Sequence, residues 1–162
     1  MSGPFAAPVD PDHDGRVSGR IYSVGYEGFD VDGFVERLAA SKVSAVIDVR
    51  LNASSRRPGF SRKALSIALE RAGISYHHEP ELGNAADNRD SFRRGDGQEG
   101  RRRMRERLEN GSSAALDRLI EHAHGDRVAV LCVERDRTRC HRTVITEMAQ
   151  EVDPNIEVVQ IL

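Results

Sequence analysis

Lysine is almost missing from this chain: Lys42 and Lys63 are the only two among 24 basic residues. Arginine therefore carries the positive charge, a bias that a GC-rich genome produces as readily as a need for phosphate-binding forks. The scarcity alone assigns no function. Net charge is -2, so no global basic field draws in nucleic acid. No stretch approaches the roughly 20 apolar residues of a membrane span. Met1 to Arg20 is polar and rich in Pro, Gly and Asp, without the apolar core of a secretory signal. The expectation is a cytoplasmic protein with reduced thiols. Cysteine is scarce too, and Cys132 and Cys140 are then ligands, reactive thiols or core fillers rather than a structural disulfide.

Several familiar motifs are also missing. There is no Gly-x-Gly-x-x-Gly and no Walker loop, so dinucleotide or ATP binding by those routes is not supported. Seven residues separate the thiols, which excludes a Cys-x-x-Cys redox pair. A phosphate loop of the tyrosine-phosphatase type needs Arg six residues after its Cys. Counting from Cys132, that position is Thr138.

What is present is 162 residues, 38% of them hydrophobic and 31% charged, enough for one domain with a real core. Residues 1–18 read as a disordered tail, and 19–162 as a single domain. Ile21–Gly25 reads as a strand. Asp30 then caps a helix whose stripe is Val31, Phe34, Val35 and Leu38. Val43–Val49 is a second strand, followed by a polar loop through Gly59. Ser61 caps a helix that Gly73 ends, and Ile74–His78 is a short strand. Residues 79–98 are polar and without pattern, in the manner of a lid or binding loop. Helices over Glu99–Glu109 and from Ser113 follow, with Gly125 ending the second. Val128–Leu131 is a buried strand, a helix opens at Cys140-His141-Arg142, and Ile156–Leu162 is the last strand. Strands alternate with helices and several are continuous apolar runs. That predicts an α/β fold: a single three-layer domain whose mostly parallel sheet is covered by helices on both faces.

In such a sheet, ligands bind outside the carboxyl ends of the strands, beside helix N-termini. That edge is expected to collect Tyr26 and Glu27, Asp48 and Arg50, the Ser54-Ser55-Arg56 loop, Glu81, and Cys132 with Glu134. The helix start adds Cys140, His141 and Arg142. Glu27, Asp48, Glu81 and Glu134 are candidates for acid/base or hydroxyl-binding roles. Arg50, Arg56 and Arg142, with free backbone N–H groups, suit a phosphate or carboxylate. A helix N-terminus and nearby arginines favour a thiolate at Cys140, a candidate nucleophile with His141 close by.

Each has a plainer reading. Asp48 and Arg50 make a structural ion pair at a strand end equally well. Cys132 in an apolar strand fills core equally well, although strand alternation puts it on the face of Glu134. The Arg101-Arg102-Arg103 run reads as a solvated helix face. Cys132, Cys140 and His141 also offer a metal site for a divalent transition metal, although adjacent Cys and His ligands are an awkward pair on a regular helix.

Together these segments resemble the domain-of-unknown-function 488 family. The matching pieces are Ser23-Val24-Gly25-Tyr26-Glu27-Gly28, Ile47-Asp48-Val49-Arg50, Ser54 through Ser61, Glu81-Leu82-Gly83-Asn84, and Cys132-Val133-Glu134 with Cys140-His141-Arg142. The resemblance runs from about Ile21 to Ala149. It implies a small, soluble, bacterial-type α/β domain, and its recurring residues fall on the expected crevice. The Asp-Val-Arg piece is also similar to a stretch of rhodanese-like sulfurtransferases, whose catalytic loop is not recognisable here. The expected function is an enzyme acting on a small anionic, nucleotide-like ligand. The alternatives are the metal centre and a non-catalytic binding module that uses the 79–98 loop.

Overall fold

The apolar runs become five strands: β1 (Gly19–Gly25), β2 (Ala45–Asp48), β3 (Ser75–His78), β4 (Arg127–Cys132) and β5 (Ile156–Ile161). A computed structural model describes residues 17–93, 97–111 and 113–161. The strands form one sheet in the order β3-β2-β4-β1-β5, and every pairing is parallel. Six helices cover it: α1 (Val31–Ala40), α2 (Arg62–Arg71), α3 (Ala86–Arg93), α4 (Gly97–Gly111), α5 (Ser113–Gly125) and α6 (Arg142–Val152). The expected three-layer α/β fold is the observed one.

Alternation along β4 shows why two cores exist. Val128, Val130 and Cys132 face α4, α5 and α6, where they meet Met104, Leu108, Leu119 and Ile145. Ala129 and Leu131 face α1 and α2, against Phe34, Leu38, Leu65 and Leu69. Both faces of the central strands are therefore dry, which is why they read as unbroken apolar runs. Each fully buried Leu or Phe stabilises by roughly 1.5–3 kcal/mol.

The helix boundaries follow local chemistry. Asp30 Oδ1 accepts from the Gly33 N–H at 2.7 Å, and Ser61 Oγ accepts from Ala64 N–H at 3.4 Å. Gly73, at φ 76°, ends α2 in the left-handed region that favours glycine.

Two expectations change. Strand two is shorter than expected, Ala45–Asp48 rather than Val43–Val49. The segment 79–98 is not an irregular loop: it holds a 3-10 turn at Pro80–Leu82 and helix α3. Helix α3 has little apolar stripe, and tertiary hydrogen bonds hold it instead. Asn88 Nδ2 donates to Asn84 Oδ1 (2.8 Å) and to the Gly100 carbonyl (3.0 Å). Gly100 lets Phe92 pack close, since a Cβ there would lie 2.9 Å from its ring. The expected tail lies outside the described residues except at Val17 and Ser18. The Ser18 hydroxyl donates to Asp153 at 2.6 Å. No helix among the described residues is long and apolar enough to cross a membrane.

Candidate functional site

β2 and β4 are neighbours, so their C-terminal ends deliver Asp48-Val49-Arg50 and Cys132-Val133-Glu134 side by side. The chain leaving β4 crosses β1 at Gly25, where a Cβ would stand 1.8 Å from the Glu134 carbonyl oxygen. Only glycine permits that crossing. Asp136 then caps a 3-10 turn, Arg137–Arg139, by accepting from the Thr138 N–H at 2.9 Å. Cys140 is extended (φ -132°, ψ 145°), whereas His141 is already helical (φ -63°, ψ -14°) at the start of α6.

That abrupt change of backbone brings two adjacent side chains together. Cys140 Sγ lies 3.6 Å from His141 Nδ1. His141 Nε2 donates to the Val49 carbonyl at 2.9 Å. A carbonyl only accepts, so the proton sits on Nε2, and in the neutral ring Nδ1 presents its lone pair to the thiols. Cys132 completes the group, because the ligand atoms of Cys132, Cys140 and His141 all lie within 4.8 Å of one another. The Cys132 thiol also donates to Glu134 Oε2 at 3.4 Å, so alternation does place those two on one face. The three residues are buried, and they offer two sulfurs and one nitrogen, a donor set suited to a borderline-soft metal or to thiol chemistry.

The charges of this centre act strongly on one another. The hydrogen bond with Cys140, then burial, pushes the Cys132 thiol well up. Burial also works to raise Cys140, but the Cys132 hydrogen bond and the His141 charge outweigh it and hold that thiol well below its usual range. Burial disfavours the His141 cation, yet the Cys140 thiolate beside it raises the imidazole. Glu134 is raised, first by burial and then by the Cys140 charge.

Beside this centre stands a buried ion-pair network. Asp48 accepts from Arg50 Nε at 2.9 Å, from Arg50 Nη2 at 2.6 Å and from the Tyr76 hydroxyl at 2.5 Å. Arg50 Nη1 donates to the Phe60 carbonyl at 2.7 Å. The guanidinium also lies over the Tyr26 ring, 5.4 Å from its centroid. Tyr26 in turn stacks on Phe60 at 4.3 Å. Burial opposes the Arg50 charge, but the Asp48 carboxylate more than offsets it and pushes the guanidinium up. Burial and the hydrogen bond to Asp48 both raise the Tyr76 phenol.

A cavity of about 170 Å³ opens above these groups. Of the residues expected at this edge, Arg50, Ser54, Cys132, Glu134, Cys140 and His141 line it. The others sit elsewhere. Asp48 is fully buried behind Arg50. Tyr26 lies under the 50s loop, its hydroxyl 3.3 Å from Ser55 Oγ. Glu27 is exposed and lines a separate hollow with Glu134 and Arg139. Arg56 is exposed, outside the cavity lining. Glu81 faces Arg118 at 3.5 Å, away from the cavity. Arg142 is buried and donates to the Glu134 carbonyl, and its Nε and Nη1 have no hydrogen-bond partner among the described residues. The arginines of the 101–103 run form surface pairs, such as Arg101 with Glu147 and Arg102 with Glu99.

Seven lining residues were not expected there: Asn84, Arg89 and Phe92, together with Leu51, Asn52, Val133 and Arg139. The first three come from the segment read as patternless, where the signal was tertiary. Arg139 stood in plain view beside Cys140. No curated protein and no solved structure matches the chain. The family described as "Domain of unknown function DUF488" matches residues 30–149, most of the chain and every lining residue of the cavity, and the protein belongs to that family.

Proposed function

We propose that the protein is an enzyme acting on a small anionic molecule, of nucleotide-like kind, in the cavity at the C-terminal edge of β2 and β4. The observation that carries this reading is a pairing of features in one enclosed space. Cys132, Cys140, His141 and Glu134 line it together with Arg89 and Arg139. Arg89 has no acidic partner among the described residues, and Arg139 reaches Asp136 only at 3.9 Å. Arg50, by contrast, is committed to Asp48 and Phe60. The anion is therefore held chiefly by Arg89 and Arg139, with Asn52, Asn84 and Ser54 as neutral partners. At about 170 Å³ the space is smaller than the roughly 300–1,000 Å³ of drug-sized sites. It suits a small molecule or the reacting end of a larger one.

The test is calorimetric titration with phosphate, pyrophosphate and nucleoside phosphates against the matching neutral nucleosides. Anions are expected to bind and nucleosides to bind far more weakly. Arg89→Ala is expected to weaken anion binding about 10–100-fold, from the roughly 1.5–3 kcal/mol of a charged hydrogen bond, and to leave stability within about 0.5 kcal/mol. Equal affinity for neutral and charged forms sinks the anion assignment. Binding without turnover of any anion tested makes the protein a ligand-binding module instead.

A further inference from the structure

We infer that Cys132, Cys140 and His141 form a binding site for one divalent transition metal of the zinc type, with the fourth coordination position open to the cavity. This deepens the reading above, on which it rests only for the use made of the metal.

Distances come first. In a tetrahedral zinc site a sulfur at about 2.3 Å and a nitrogen at about 2.0–2.1 Å stand about 3.5–3.6 Å apart. Cys140 Sγ and His141 Nδ1 are 3.6 Å apart. All three donor atoms fall within 4.8 Å of one another, so no pair needs to close by more than about 1.3 Å to meet the tetrahedral sulfur–sulfur or sulfur–nitrogen span.

Orientation is the second, independent observation. Metal-bound histidines almost always donate their other ring N–H to a carbonyl or carboxylate, which fixes ring and tautomer. The 2.9 Å bond from His141 Nε2 to the Val49 carbonyl is such a support. It comes from the residue just past β2, whose own N–H donates to the Leu131 carbonyl at 3.0 Å, so the ring is held by the sheet edge rather than by its own loop.

Two sulfurs and one nitrogen favour zinc over magnesium or calcium, which take oxygen ligands. Three protein ligands with an open fourth position are the pattern of a catalytic rather than a structural zinc. The three ligands and Glu134 line the same cavity as Arg89, so a solvent molecule on the metal would face the bound anion.

The experiment uses the full, untagged chain. Metal analysis and native mass spectrometry are expected to find about one zinc per chain. After chelation, Co²⁺ titration is expected to saturate at one equivalent with thiolate-to-cobalt charge-transfer absorption that Zn²⁺ abolishes. Outer supports of a metal site are worth 10–100-fold in affinity, so Cys132→Ser and Cys140→Ser are each expected to cost more than about 100-fold. Arg89→Ala is expected to keep the cobalt spectrum while losing anion affinity, which separates this inference from the reading it rests on. A wild-type chain that takes up neither Zn²⁺ nor Co²⁺ while still binding anions overturns the metal site alone. A cobalt spectrum without sulfur charge transfer, or a Cys132–Cys140 disulfide in place of the metal, also overturns it. The wild-type titration decides the matter even where a serine variant does not fold.

Discussion

Replacing Asp48 by Asn keeps the shape of a fully buried side chain and removes its charge. The structure predicts a large cost. Arg50 is 4% exposed and would lose the counter-ion it has among the described residues, and breaking a buried pair from one side costs about 3–5 kcal/mol. For a domain of this size that corresponds to a fall in Tm of roughly 10–20 °C. The damage extends beyond β2. Arg50 Nη1 holds the Phe60 carbonyl at 2.7 Å, so the loop that carries Ser54 is loosened with it. Urea unfolding followed by circular dichroism reads the effect as a lower midpoint at unchanged slope. Replacing the network as a unit, with Asp48→Leu, Arg50→Met and Tyr76→Phe together, is expected to recover most of the loss, because apolar replacements of buried pairs are often neutral or stabilising. If Asp48→Asn costs less than about 1 kcal/mol, or if the triple variant is worse than the single, the network is not what holds the end of β2.

Gly25→Ala puts a Cβ where the Glu134 carbonyl stands, 1.8 Å away. Backbone must move, so the cost is expected to exceed the roughly 1–3 kcal/mol of ordinary overpacking, and anion binding is expected to fall with it in the same titration. Unchanged stability would place the β4 exit loop elsewhere. The Ser18 hydroxyl, then His124, holds the Asp153 carboxyl below its usual range. A depressed carboxylate contributes stability above its ordinary value near pH 4, and loses it as pH falls through the folded value. Amide exchange at the start of β1, relative to the rest of the sheet, is expected to speed on acidification. Ser18→Ala is expected to abolish part of that pH dependence, and a flat profile would refute the link.

The sheet was legible because its central strands are dry on both faces. β1 and β4 announce themselves as apolar runs between glycines and polar turns, and Asp30 and Ser61 mark helix starts by chemistry visible one turn later. Helix α3 was not legible, for the opposite reason. Its order depends on Asn88 reaching the Gly100 carbonyl and on Phe92 lying against Gly100, contacts between segments that no local pattern reports. The consequence fell on the site, since the missed helix and the turn before it carry Asn84, Arg89 and Phe92 to the cavity wall. Glu27 and Glu81 show the converse limit. Being near a strand end in the sequence does not aim a side chain, and these two point to a neighbouring hollow and to Arg118.

The adjacent Cys140 and His141 show how a correct rule can mislead at one position. Consecutive side chains on a helix diverge by about 100°, which argues against a shared ligand. The rule assumes that both residues are helical. Here the 3-10 turn ends in an extended Cys140, and helical backbone begins only at His141, the residue before α6, so the divergence does not apply. The same junction explains why the pair is rigid. Cys140 follows a turn closed by Asp136, and the His141 ring is tied to the Val49 carbonyl just past the end of β2. A sulfur and a nitrogen 3.6 Å apart, each fixed by a different element, form a preorganised pair. Preorganisation is what separates a built site from two polar residues that happen to be neighbours. Cys132 then has to supply only the third donor, and strand alternation had already aimed it there.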